Sequence, residues 1–373
     1  MSEPGFLEKL LDGARVEWKP LVKIADIKHG KDWKKLAEGD VPVYGSGGIM
    51  GYVGTFAHDQ PTVLIPRKGS ITNVFYVDEP FWNVDTIYYT DIDTDQVVPR
   101  YLYHFVKTID LMALDTGSGR PSLTQAILNK IPVPIPCPEE PEKSLAIQGE
   151  IVRILDSFTE LTAELTAELE LRKKQYNHYR DLLLTFEDGE VEWKTLAEVA
   201  EIGTGSRNTQ DAIENGEFVF YARGREPLTL NSFDFDETAI ITAGDGAGVG
   251  KVFHFAQGKF ALHQRAYRIA PTEAMNARFV YHCIKSHFYD YIQRASVNSS
   301  VTSLRRPMFL KYPVPVPSLD EQARIVEILD KFDTLTTSLS EGLPREVDLR
   351  QKQYEYYRDL LLSFPKPAEA AEA

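Results

Sequence analysis

Apolar residues recur along this chain in two registers, and each register appears twice. From Ile147 onward, Ile151, Ile154, Phe158, Leu161 and Leu165 step by three and four, the spacing of a coiled-coil seam. Ile325, Ile328, Phe332, Leu335 and Leu339 repeat the pattern. The first helix should run roughly 37 residues, on the order of 55 Å at about 1.5 Å per residue. Gly342 and Pro344 are expected to bend or break the second. Ahead of each helix stands an alternating proline segment, IPVPIP at residues 131–136 and YPVPVP at 312–317. Proline removes backbone donors, so these read as edge or exit strands marking a domain boundary. YLYHFVK at 101–107 and FVYHCIK at 279–285 have the spacing of short amphipathic helices. TVLIPRKGSI at 62–71 and TAIITAGDGAG at 238–248 are apolar strands running into glycine turns. Each half is thus a mixed α/β domain followed by a helix.

The halves also match residue by residue. VEWKPLVKIADIKHG at 16–30 aligns with VEWKTLAEVAEIGTG at 191–205, IVRILDSF at 151–158 with IVEILDKF at 325–332, and RKKQYNHYRDLLLTF at 172–186 with RQKQYEYYRDLLLSF at 350–364. FLEKLL at 6–11, followed by Asp12 and Gly13, echoes the helix tail YRDLLLTF at 179–186 and the EDG after it. The duplication therefore reads as circular, with the N-terminus finishing the second helical unit and the halves related by a pseudo-twofold axis. The expected fold is α+β/mixed: two α/β domains separated by two long antiparallel helices forming a coiled coil. The expected segments are 1–145, a spacer at 146–187, 188–320, a second spacer at 321–364 and a disordered tail at 365–373.

Inside the first helix TAEL occurs twice in succession, at 162–165 and 166–169. Four helical residues add roughly 6 Å and about 40° of net rotation, while one DNA base pair adds about 3.4 Å and roughly 34–36°. A helix of this kind can act as a ruler, although a chance tetrapeptide in an Ala/Glu-rich helix looks the same.

Composition narrows the function. The 43% hydrophobic and 26% charged content is that of a globular protein. No apolar run is long enough for a membrane span, and residues 1–10 lack the pattern of a secretory signal. Cys137 and Cys283 stand apart without a CxxC, predicting neither zinc nor disulfides and a reducing, cytoplasmic setting. The net charge of −14 speaks against nucleic acid until it is counted locally: residues 205–311 hold 13 Lys and Arg against 10 Asp and Glu. Residues 19–35 hold six lysines against Asp26 and Asp32.

Enzyme motifs are absent. GDGAGVGK at 244–251 departs from the phosphate loop, with Val252 after the lysine, and reads as a turn between strands. His254 and His263 lack a third ligand at metal spacing and read as structural. There is no HExxH, GxSxG, methyltransferase cofactor loop or Asn-Pro-Pro-aromatic tetrapeptide. No catalytic residue, metal or cofactor is expected.

The doubled proline segment, the IVxILDxF helix start, the TAEL repeat and the QYxxYRDLLLxF tail together resemble the specificity subunit of type I restriction-modification enzymes, over nearly the whole chain. The resemblance implies two target-recognition domains, each reading one half of a split, asymmetric sequence in double-stranded DNA. It implies helical regions that recruit two methyltransferase subunits and, through them, restriction subunits. Adenine methylation and cleavage would lie in those partners. Tyr176, Tyr179 and Arg180, with Tyr354, Tyr357 and Arg358, map onto the repeated helix ends as candidate subunit contacts; at helical spacing they equally read as coil core.

Residue chemistry supplies the DNA candidates. Lys28, Lys31, Lys34 and Lys35 suit phosphate contact, and Arg67 and Lys68 sit on a strand-to-glycine turn. Arg120 lies in GSGRPS at 117–122, the place that NSSVTS at 298–303, with Asn298, takes in the second copy. Arg207, Arg223, Arg225, Arg305 and Arg306 complete the set; arginine reads guanine bidentately, or forms surface ion pairs. A coiled-coil scaffold whose α/β domains bind protein or carbohydrate remains the alternative, separable by salt-dependent DNA binding.

Overall fold

The computed structural model describes residues 6–116, 119–187, 189–295, 306–338 and 340–365. The chain forms two compact units, residues 1–165 with 347–373, and residues 166–346. It leaves unit 1 and returns to it, which is the circular order expected from the repeat.

Unit 1 opens with α1 (Phe6–Leu11), β1 (Val16–Pro20) and β2 (Ala25–His29). The hairpin β3 (Val41–Gly45) and β4 (Gly48–Val53) precedes β5 (Thr62–Pro66), β6 (Phe75–Val77), β7 (Trp82–Asn83) and β8 (Ile87–Ile92). Next come α2 (Pro99–Val106), α3 (Gln125–Leu128), β9 (Pro132–Pro136) and the start of α4 (Pro141–Leu183). One sheet has the order β2-β8-β5-β6 and a second β4-β3-β7. All five residues of β5 are buried, which is why TVLIP is continuously apolar rather than alternating. Its threonine is satisfied internally: Thr62 Oγ1 donates to Thr90 O at 2.6 Å.

Unit 2 takes the end of α4, then β10 (Glu192–Thr195), α5 (Leu196–Val199), β11 (Ala200–Thr204), β12 (Phe218–Tyr221) and β13 (Leu228–Leu230). β14 (Phe235–Ala243), β15 (Phe253–Leu262) and β16 (Ala266–Pro271) lead into α6 (Ala277–Ala295). α7 (Arg306–Leu310), β17 (Pro313–Val316), α8 (Leu319–Thr337) and α9 (Leu343–Leu361) follow, the last mostly returning to unit 1. A single six-stranded sheet has the order β11-β16-β14-β15-β12-β13. Both copies keep a glycine at the end of their first aligned segment because the chain crosses another backbone there. A Cβ on Gly30 would collide with the Val84 carbonyl, and one on Gly205 with that of Leu262.

Two expectations change, and one open alternative is decided. The proline segments are edge strands: β9 pairs antiparallel with β1 and β17 with β10, as two-stranded ribbons. A ribbon strand has a free outer edge, so its missing N–H groups cost little. The compact units part inside α4, between Leu165 and Thr166, and so between the two TAEL copies. α4 itself is longer than expected, 43 residues, because Pro141 opens it where an N–H would be unpaired anyway. α1 also differs. Leu7 and Leu11 pack in the unit 1 core with Leu361, Leu362 and Phe364. Yet Leu362 and Phe364 lie beside Trp18 as Leu184 and Phe186 lie beside Trp193. α9 thus completes its own repeat, and α1 is an addition.

The second helix is broken as expected, into α8 and α9. A Cβ on Gly342 would collide with the carbonyls of Thr334, Leu335 and Ser338, and Pro344 is the second residue of α9. The tail assigned to residues 365–373 lies outside the described residues from 366 on.

In each unit the same buried polar joint fastens domain to helix. Gln148 of α4 accepts from Val98 N (2.9 Å) at the head of α2, and Gln322 of α8 accepts from Asn276 N (2.7 Å) at the head of α6. Both satisfy an N–H that a helix start leaves without a partner. Asp156 hydrogen-bonds His104 Nε2 at 2.8 Å and Arg100 at 2.9 Å; Asp330 does so with His282 Nε2 at 2.6 Å and Arg278 at 2.7 Å. Burial opposes ionisation of both carboxyls, but these donors prevail and hold them below the ordinary aspartate value.

Candidate nucleic-acid interface

The basic candidates fall into distinct places. In unit 1, Lys28 on β2 is held by Asp26 (3.1 Å), whose hydrogen bond and charge raise its pKa. Lys31, Lys34 and Lys35 occupy the segment after β2, anchored by backbone: Lys31 N donates to Asn83 O, and Trp82 Nε1 donates to Lys31 O. Arg67 and Lys68 follow β5 and lie against the 121–123 segment, where Gly69 N donates to Pro121 O and Leu123 N to Arg67 O. Exposed Arg120 precedes that segment. Asn73 Nδ2 donates to Ser46 O, bringing the β3–β4 hairpin tip alongside. That hairpin exposes Ile49, Met50 and Tyr52. Arg67, Lys68 and Arg120 therefore share one rim, while Lys31, Lys34 and Lys35 stand on another segment.

In unit 2 the arginines separate by what they are bonded to. Arg207 Nε donates to Asp234 (2.9 Å), whose other oxygen accepts from Leu262 N, so Arg207 braces the sheet. Arg306 Nη2 donates to Ile202 O. Asn298 and Arg305 lie outside the described residues. Arg223 and Arg225 line a cleft of about 540 Å3 with Asp245 and Gly246. Here the phosphate-loop lookalike is a turn between β14 and β15, and Lys251 lies over the Tyr289 ring at 5.0 Å. His263 is buried, accepts from Arg265 N, and has its pKa lowered by burial and by Arg223. Asp245 and Arg265 are absent from the sequence-derived candidates; their only signal was a charged residue at each of two adjoining turns.

The helix-end candidates divide too. Tyr176 and Tyr354 are buried, which removes them from any contact surface. Tyr354 OH bonds His104 Nδ1 at 3.0 Å. Tyr179 stacks on Phe332 at 5.5 Å and Tyr357 on Phe158 at 5.0 Å, each leaving part of its ring exposed. Arg180 and Arg358 are bonded to Asp181 and Asp359.

Each unit carries its own copy of the same joint, with different strands and different basic surfaces beyond it. A family model described as type I restriction modification DNA specificity domain matches the chain twice, over residues 16–171 and 189–349. The chain belongs to that family. It is 41% identical to the type I restriction enzyme EcoR124I/EcoR124II specificity subunit of Escherichia coli, over 98% of this chain and 99% of that protein. The fold of this specificity-domain chain also resembles the S subunit of a type I restriction-modification system from M. genitalium, with a TM-score of 0.69 and 17% identity, covering 95% and 98% of the two chains. A second structure, titled for complex assembly and conformational transition of the type I restriction-modification system, aligns with a TM-score of 0.53 at 14% identity over 93% and 97%. Among the described residues no helix is long and apolar enough to cross a membrane.

Proposed function

We propose that this chain is the DNA sequence-recognition subunit of a type I restriction-modification complex and reads a bipartite, asymmetric site, one half per unit. One observation carries the reading: the specificity domain occurs twice, once over most of each compact unit. The scaffold alternative gives no reason for that family membership. As a specificity subunit the chain is not itself a catalyst; methylation of adenine and cleavage belong to its partners. In this reading residues 1–145 and 188–320 are the readers and 146–187 and 321–364 the spacer, in a cytoplasmic complex. Two methyltransferase subunits would dock on the two repeated helix ends, using Tyr179, Tyr357 and the neighbouring Arg180 and Arg358, and would carry the restriction subunits.

Arg67, Lys68 and Arg120 are the DNA-facing set of unit 1, with Lys28, Lys31, Lys34 and Lys35 on phosphates; Arg223 and Arg225 lead in unit 2. Charge on these surfaces supplies affinity that falls steeply with salt, while base contacts supply the sequence. The test is co-expression with a type I methyltransferase subunit and a genome-wide map of modified bases. A split motif with two different halves is expected. An unsplit motif, or none, overturns the reading.

A further inference from the structure

Three turns of unit 2 converge on one carboxylate. Arg223 follows β12, Asp245 follows β14, and Arg265 precedes β16. The backbone holds them together: Gly244 N donates to Arg265 O (2.9 Å), and His263 N donates to Tyr221 O (3.0 Å). Each oxygen of Asp245 takes one guanidinium, Oδ1 from Arg223 Nη1 at 2.8 Å and Oδ2 from Arg265 Nη1 at 3.0 Å. Among the described residues these are the only side-chain hydrogen bonds either arginine makes. Each therefore keeps its Nε/Nη2 edge, the edge that forms parallel bidentate bonds. Both remain well exposed, at 41% and 62% of the side chain.

Arg268 is the counter-example on the same sheet: it is 10% exposed and held by Glu201 and Glu237, so it has nothing to offer a ligand. Burial opposes the charge on Asp245, but the two arginines prevail and hold its carboxyl below the usual value, so the brace stays ionised at neutral pH. Gly224, Gly246 and Gly248 share the lining of the cleft with Arg223, Arg225 and Asp245. Gly246 turns at a φ of +80° with nothing near the position of a Cβ, which lets a double helix approach closely.

We propose that Asp245 is a positioning residue that aims the free edges of Arg223 and Arg265 at guanine in the half-site read by unit 2. Guanine offers two acceptors, O6 and N7, matched to that edge. Phosphate offers the same chemistry, but the carboxylate between the two arginines lowers the net positive charge of the cluster, which weakens its pull on a phosphate more than its directed bonds to a neutral base edge. Fixing both guanidinium groups in advance also serves base reading, where direction matters more than charge. The inference rests on the chain being a DNA specificity subunit.

The test uses Asp245→Asn and Arg265→Lys, each in the full chain co-expressed with its methyltransferase, with modified bases mapped genome-wide. Arg265→Lys should lose roughly tenfold in preference for guanine at one position of one half-site, and Asp245→Asn, which releases both arginines, at two positions of that half-site, while the half-site of unit 1 stays intact. Arg265→Lys keeps the charge and loses the fork, and at an exposed position it leaves folding undisturbed if Asp245→Asn does not. A uniform drop in methylation with the motif unchanged identifies a phosphate contact and overturns the proposal, as does an unaltered motif at unaltered level. Absence of any split motif in the unsubstituted protein is a different failure, that of the function itself.

Discussion

Units 1 and 2 agree where they meet their helices and differ where they would meet DNA. The joint is duplicated almost atom for atom: Gln148 and Gln322 cap a helix start, while Asp156 and Asp330 each hold a buried histidine and an arginine. The strands beyond it are not duplicated. Unit 1 divides its strands into four- and three-stranded sheets with an exposed apolar hairpin, and unit 2 builds one six-stranded sheet. A buried polar joint tolerates little change, because each partner removed leaves another group desolvated and unpaired. Surface turns carry no such constraint. Conservation of the joint within one chain, beside divergence of the turns, is what a device needs if it must present two different readers to copies of one partner.

Exchanging one reader gives the largest effect. Replacing residues 191–311 with the corresponding segment of a relative should replace one half of the methylated motif entirely and leave the other half untouched. If both halves change, the units do not read independently. A smaller change follows from the boundary between the TAEL copies. A third copy inserted after Leu169 adds roughly 6 Å and about 40° to α4, a rotation close to that of one DNA base pair and a rise nearer to that of two. The map of modified bases should then show both half-sites unchanged and a longer gap between them. An unchanged gap would sink the ruler.

The features legible in the sequence were those with a period or a copy. The helices, the break at Pro344 and the circular order follow from apolar spacing and self-alignment, since both units must bury the same seam. The choice between edge and exit at the proline segments is not legible, because proline reports a missing donor and not which strand lies opposite. Pairing of β1 with β9 joins residues more than a hundred positions apart, which no local pattern encodes. The joint was visible only as identical letters: YH in both short helices and ILD in both long ones. The Asp245 brace had no copy at all. It depends on three turns meeting in space, and Arg223 alone, among its members, was nominated from chemistry.

The smallest expected effect isolates one atom at which the joints differ. His104 Nδ1 is bonded to Tyr354 OH, whereas the buried Nδ1 of His282 has no partner among the described residues. Tyr176, which matches Tyr354 in the repeat, makes no hydrogen bond through its hydroxyl among the described residues, although both rings are buried. Tyr354→Phe therefore removes a buried hydrogen bond and leaves an imidazole nitrogen unsatisfied, at about 1 kcal/mol. Tyr176→Phe keeps the packing and removes a hydroxyl that bonds nothing, so its change should stay within about 0.5 kcal/mol. Hydrogen exchange resolved along α2 and α6 measures the two separately. Faster exchange in α2 for the first variant, with none in α6 for the second, supports the asymmetry; equal effects would mean that the two joints are held alike, and that the units differ only in their turns.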